Sequence, residues 1–343
     1  MCGSLQGLEA RFASFSVMAR PRRRYQQGRL YEATIKTFQA RYFLIPSKLL
    51  NLLVIGALAH AQKLFGLRIC YVVALTNHIH CLYRGDVPDV VAGFFCLANS
   101  QISKEVQKFC SWTGGIFGES MTVSEVTAEP AAQIGRLKYL LAQGVKEGLA
   151  PHPTLWPGVQ AAKAWLDGSM KLRGLWIRRS ELYELERTAA RKLKAKPRRL
   201  SRAARKRCED QVTLELSPLP CCDGWSRSQL MELAQQLCDE ILEEHAEARA
   251  RITMGWRKRL MDPALFCFRP EGTKKGDRPK VHAASEESWI EWVREWEDWK
   301  LRYERAFRRL RNGIAAALGE FPEGAFLPTG IFRSQLAGVP PPG

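Results

Sequence analysis

No C-x-x-C pair occurs among the ten cysteines of this 343-residue chain, and no paired zinc-ligand spacing surrounds any of them. Adjacent Cys221 and Cys222 do not provide that spacing either. A zinc ribbon is therefore not expected, and the cysteines read as free thiols, several of them buried, in a reducing compartment. Long apolar runs are also lacking. The best, Leu49 to Ala59, falls short of the roughly 20 residues that cross a bilayer and continues as an amphipathic pattern. The start of the sequence has neither a signal-peptide apolar segment nor a cleavage site, so the expected location is the cytoplasm, at the nucleoid. Acidic residues are scarce. Asp and Glu number 35 against 52 Lys and Arg, a formal charge of +17. That excess argues for a polyanionic partner, nucleic acid first and an anionic membrane surface second.

What is present divides into parts. Residues 1–19 read as a flexible tail, and Arg20 to Arg24 as a short basic run. From there the pattern predicts a strand at Leu30–Thr37, a helix at Pro46–Phe65, and strands at Leu67–Ala74 and Asn77–Arg84. A helix at Val87–Phe109, a strand at Ile116–Val126 and a helix at Glu129–Lys146 follow. The order β-α-β-β-α-β-α is an α+β pattern whose first six elements match the ferredoxin-like split βαβ, with one helix added. A domain boundary is expected near residue 168. Beyond it lies a basic, mostly helical extension, 169–343, with helices and linkers over Lys171–Arg207. A short strand is expected at Gln211–Leu216, and helices at Arg227–Arg251 and Glu286–Leu310.

Two features within 20–168 carry chemistry. In the segment ALTNHIHCLYR, His78 and His80 share one face of a strand, while Ile79, Cys81 and Tyr83 share the face that packs under helices. Two imidazoles on the face the helices leave open suit a divalent metal. Two polar residues on an exposed strand face fit the same pattern. In QIGRLKYLLAQGVKEGL, the apolar stripe is Ile134, Leu137, Leu141 and Val145. Tyr139 lies about 200° from Leu137 and Leu141, on the polar face with Arg136 and Gln143. It either has a task there or covers the helix edge.

Together these motifs resemble the single-tyrosine HUH transposases, and within them the REP-associated tyrosine transposases and related insertion-sequence single-strand transposases. His78-Ile79-His80 matches the His-hydrophobic-His triplet, preceded by Asn77. Tyr139 to Leu149 matches the tyrosine segment, with Gln143 four residues after the tyrosine. The resemblance covers residues 20–165. Gln143-Gly144 replaces the usual Asn-Pro, and Ile116–Met121 lacks the arginine of the family's basic, aromatic strand. The resemblance implies an HUH catalytic domain that nicks and rejoins single-stranded DNA at hairpins through a 5′-phosphotyrosine. In it, Tyr139 is the nucleophile, and His78, His80 and Gln143 hold Mg²⁺ or Mn²⁺. Arg22, Arg23, Arg24, Asn77, Arg136, Lys138 and Lys146 are the candidate DNA contacts. The implied partner is single-stranded, hairpin-forming DNA, with no membrane and with a homodimer left open. The alternative is a domesticated, non-catalytic nucleic-acid-binding protein on the same scaffold. An RNA-binding regulator is suggested by charge alone.

In the extension, Lys171–Arg207 fits either phosphate contact or a solvated linker. In the final helix, Trp289, Trp292, Trp296, Trp299, Tyr303 and Phe307 recur at steps of three and four. That period predicts an apolar seam rather than a base-stacking surface. The seam is expected to face residues 227–251 or the catalytic domain. Leu216–Cys221 also resembles longer members of the family.

Overall fold

A computed structural model describes residues 23–118, 121–193, 204, 206–271 and 280–327. The expected tail 1–19, Arg22 and most of the basic loop 272–280 lie outside the described residues. The first seven elements follow the expected order. They are β1 (Leu30–Lys36), α1 (Lys48–Phe65), β2 (Arg68–Ala74), β3 (His78–Arg84), α2 (Pro88–Cys110), β4 (Thr122–Val126) and α3 (Pro130–Leu141). Local chemistry sets the bounds of α1. The Ser47 hydroxyl accepts from the Leu50 N–H at the start, and Gly66 ends the helix in the left-handed conformation, at φ 69°. The strands form one mixed sheet in the order β2-β3-β1-β4-β7, antiparallel except that β7 (Val281–His282) runs parallel to β4.

One face of this sheet presents Tyr31, Ala33, Ile35, Ile79, Cys81 and Tyr83, all buried. Tyr83 stands edge-on to Phe95 of α2, with ring centroids 5.2 Å apart. The other face carries Glu32, Thr34, His78, His80 and Leu82. It is not open, as the sequence pattern suggested. Leu82 is fully buried and Arg136 of α3 reaches down to Glu32, so α3 roofs this face.

Several expected elements change because tertiary partners select them. Lys171–Ile177, expected as helix or linker, is strand β5 and pairs with β6 (Glu209–Glu215) in a two-stranded sheet. A helix, α5 (Arg179–Leu193), follows β5, and the short α4 (Ala162–Leu166) precedes it. The regular strand expected from Ile116 begins only at Thr122. Ile116–Gly118 instead bonds to the end of β1, with Phe38 N donating to Ile116 O at 2.7 Å and Gly118 N to Lys36 O at 2.9 Å. The tyrosine helix stops at Leu141, and the chain then turns through Gly144 at φ 86°. Arg227–Arg251 breaks at His245 into α6 (Arg227–Glu244) and α7 (Ala246–Ala250), followed by α8 (Trp256–Leu260). A capping box of Ser226 and Gln229 opens α6.

The hydrophobic core runs through residue 168 without a break. It joins Tyr31, Tyr83 and Leu137 to Leu214, Leu219, Leu230 and Ile241. The last helix, α9 (Glu286–Arg311), stacks Trp292, Trp296, Trp299, Tyr303 and Phe307 in a ladder with centroids 5.3–6.3 Å apart. As its period predicts, this is a packing seam. It faces Arg24, whose guanidinium lies 5.5 Å from the Trp292 ring, and the segment of Phe321 and Glu323 rather than α6. Among the described residues no helix is long and apolar enough to cross a membrane.

The β5–β6 hairpin crosses α1 where Gly56 meets Gly174. A Cβ on Gly56 would lie 2.0 Å from the Leu175 carbonyl oxygen. Gly56→Ala gains about 1 kcal/mol of helix propensity but forces the hairpin off the helix. The expected result is a net loss of about 1–3 kcal/mol in unfolding free energy, measured by denaturant titration. An unchanged midpoint would mean that the hairpin is not seated there.

Candidate active site

Strand register builds the centre of the site. On the antiparallel β1–β3 ladder Thr34 lies opposite His80, and Lys36 opposite His78. Because side chains alternate, Glu32 and Thr34 share the face of the two histidines. His80 is only 6 % exposed, and its Nδ1 lies 2.7 Å from Glu32 Oε1 and 3.2 Å from Thr34 Oγ1. A carboxylate can only accept, so Nδ1–H donates to Glu32 and Nε2 is the ring nitrogen outside that bond. His78 repeats the device, with Nδ1 2.7 Å from Asn77 Oδ1. The two rings stand edge to face, 4.7 Å between centroids. Burial pulls the His78 pKa down to about 3, helped by His80, Lys36 and Lys146, so the ring is neutral at ordinary pH. A neutral imidazole whose Nδ1–H is held by an acceptor is the form that ligates metals.

Glu32 is 2 % exposed and gathers four segments. It accepts from His80 of β3 and from Arg136 of α3, and His282 Nε2 of β7 lies 3.6 Å from its second oxygen. Burial pushes the Glu32 pKa up, but hydrogen bonds from His80 and Arg136, with their charges, outweigh it and bring it down to about 2. Burial holds His282 down at about 4, with Arg136 adding to the effect.

Tyr139 stands at the rim, 38 % exposed, with its ring centroid 6.3 Å from that of His80. The Arg136 guanidinium lies 3.9 Å and the Lys146 ammonium 3.8 Å from the ring centroid. Burial alone would raise the phenol's pKa. Lys146, Gln143 and Arg136 together reverse that and leave it below its ordinary value. Because α3 ends at Leu141, the turn folds the Gln143 side chain back, and its Nε2 donates to the Tyr139 carbonyl oxygen at 3.2 Å. Gln143 is 3 % exposed. With its nitrogen committed, the amide oxygen is the atom left to serve a cation. Among the described residues no group of three or more His, Cys, Asp or Glu is placed to hold a metal ion. The set here has two histidines and reaches three donors only through an amide.

The structure thus brings His78, His80, Tyr139, Gln143, Arg136 and Lys146 together, with Asn77 orienting His78. It does not bring the other candidates there. Arg24 is 3 % exposed and ion-paired to Glu125 and Glu295. Lys138 pairs with Glu240 and Glu244 of α6, and Arg23 donates to the Met121 carbonyl. In this structure these three expected DNA contacts engage partners within the chain. Glu32 and His282 were missed. Glu32 was readable from the period of LYEATIK, which puts it on one face with Thr34 and Lys36. His282, some 200 residues from the histidine pair, had no sequence signal.

Removing the charge of Glu32 while keeping its shape should leave Arg136 half-buried without its counter-ion. Glu32→Gln is expected to cost about 3–5 kcal/mol of stability, the usual loss when one partner of a buried pair is removed, read from the denaturant midpoint. A change under 1 kcal/mol would mean that the network does not hold the four segments.

No family model and no curated protein matches the chain. The solved structures similar to it include two transposases. One, a REP-associated tyrosine transposase bound to a REP hairpin, is 16% identical, with 44% of this chain and 86% of that one covered, at a TM-score of 0.36. The other is a candidate transposase from Deinococcus radiodurans. It too is 16% identical, with 37% of this chain and 98% of that one covered, at a TM-score of 0.25.

Proposed function

We propose that this chain is a metal-dependent, single-tyrosine endonuclease and strand transferase, a transposase acting on single-stranded DNA beside a hairpin. One observation carries the reading. Two neighbouring imidazoles have their Nδ1 atoms held by Glu32 and Asn77, and a rim tyrosine under two cations faces them, its ring 6.3 Å from that of His80. A packing role for the histidines needs no such pair of acceptors, and a packing role for Tyr139 needs neither Lys146 nor Arg136.

In this reading β1 and β3 form the metal-holding floor of an HUH domain and α3 supplies the nucleophile. Tyr139 Oη attacks the scissile phosphorus and forms a 5′-phosphotyrosine. The P–O3′ bond breaks, and the leaving oxygen takes up a proton as a 3′-OH. Lys146 and Arg136 favour the phenolate, so that less of the attacking group must shed its proton during the step. The bond energy is conserved in the adduct, and a second 3′-OH rejoins the strand by the reverse displacement. His78 Nε2, His80 Nε2 and the Gln143 oxygen would hold the divalent ion, which supplies Lewis acidity at the phosphate. This mixed set of two nitrogens and one oxygen suits Mn²⁺ at least as well as Mg²⁺. The donors are uncharged, so the ion's charge is not reduced by its ligands.

The alternative, a nucleic-acid binder without catalysis, draws on one feature, the absence of arginine from Ile116–Met121. A denaturing gel separates the two. With labelled hairpin strands and Mn²⁺ the intact chain should give a covalent band. Tyr139→Phe should remove that band and leave hairpin binding within about twofold, because it deletes one hydroxyl and keeps the ring beside Arg136 and Lys146. His78→Ala and His80→Ala should each abolish the band and weaken Mn²⁺ binding. A band that survives Tyr139→Phe rules out this nucleophile, and no band from the intact chain favours the binder.

A further inference from the structure

Opposite its seam, α9 turns arginines to solvent. On ideal helical geometry Arg302, Arg305, Arg308 and Arg309 fall within an arc of about 120°, diametrically across from Trp296. All four are exposed. Arg302 pairs with Asp298 and Arg309 with Glu320, while Arg305 and Arg308 have no ion pair among the described residues. Two cations held ready in water, flanked by two more, form a surface for successive phosphates.

The helix also has a fixed relation to the candidate site. Its N-cap, Ser285, donates from Oγ to Glu129 Oε1 at 2.6 Å, immediately before the tyrosine helix, and His282 lies against Glu32. From Glu286 to Arg305 the helix advances about 29 Å, at 1.5 Å per residue. A duplex laid along the helix covers that distance in about eight base pairs, at 3.4 Å each.

We infer that the arginine face at the far end of α9 is a second DNA-binding surface, which grips the backbone of a duplex stem away from the nicking site. The proposal rests on the reading of that site as one for hairpin DNA and adds a stem-length requirement to it. A membrane surface is the competing occupant of a basic helix. It is disfavoured here because the aromatic face of α9 is already packed in the seam, which leaves little apolar surface to enter a bilayer.

The test uses the full chain, Arg305→Ala/Arg308→Ala, and hairpins with stems of 4 and 12 base pairs. Neither arginine is ion-paired among the described residues, so the variant should keep its thermal midpoint. Binding to the 12-base-pair stem should weaken about tenfold, and the salt slope should fall by about 2. Binding to the 4-base-pair stem should be unchanged. An equal loss on both stems, or no loss on the long one, overturns the proposal. So does loss of binding to phosphatidylcholine vesicles carrying phosphatidylserine while long-stem binding persists. Covalent adduct is scored separately on the 4-base-pair hairpin. If the intact chain forms none, the proposed chemistry fails while the stem-length series still decides the surface.

Discussion

The carboxylate of Glu32 is the constraint on which the rest of the structure depends. Buried and unpartnered, it would be prohibitive in that apolar setting. Its two oxygens are occupied by His80 and Arg136, with His282 beside them. An ion pair of this kind adds little stability compared with an apolar substitute of the same shape. What it contributes is geometry. One carboxylate orients the imidazole of β3, ties down the tyrosine helix through Arg136, and receives a side chain from the last strand of the sheet. Sheet, helix and C-terminal half are aligned by a single group whose disturbance would be felt at all three.

The tyrosine helix is held along its whole length by residues beyond 168. At its start Glu129 accepts from Ala284 N and Ser285 Oγ, at 2.9 and 2.6 Å. In its first turn the Gln133 oxygen accepts from Cys221 N at 2.9 Å, and near its end Lys138 pairs with Glu240 and Glu244. Past its end, a Cβ on Gly148 would meet the Ala248 carbonyl oxygen at 3.0 Å. The C-terminal half is thus the support against which Tyr139 is set. It also explains why cations such as Arg24 and Lys138 do not reach the site: they are the struts.

Charge is therefore distributed by function. Of the 52 Lys and Arg side chains, some are paired with carboxylates, two lie over the Tyr139 ring, and some remain on the outer face of α9. Helix α9 separates two roles by period. Its aromatic residues form an internal ladder and its arginines face water, and the same 3.6-residue repeat produces both.

Much of this was legible in one dimension. Alternation and helical period located β1 to β3, both packing helices and the tyrosine helix, because short-range sterics and amphipathicity decide those elements. The H-x-H triplet and a tyrosine off the apolar stripe pointed to the proposed site for the same reason. The sequence also determined that α9 would be a seam. Pairing across distance was not readable. Strand β5 exists because β6 lies beside it, and β7 because β4 has a free edge. His282 joins the site because the sheet carries it there. Whether a cation faces solvent or a carboxylate likewise depends on what folds against it, so Arg24 and Lys138 could not be told from Lys146 by sequence. Local conformation is set by neighbours in the chain, and the composition of the site by neighbours in space.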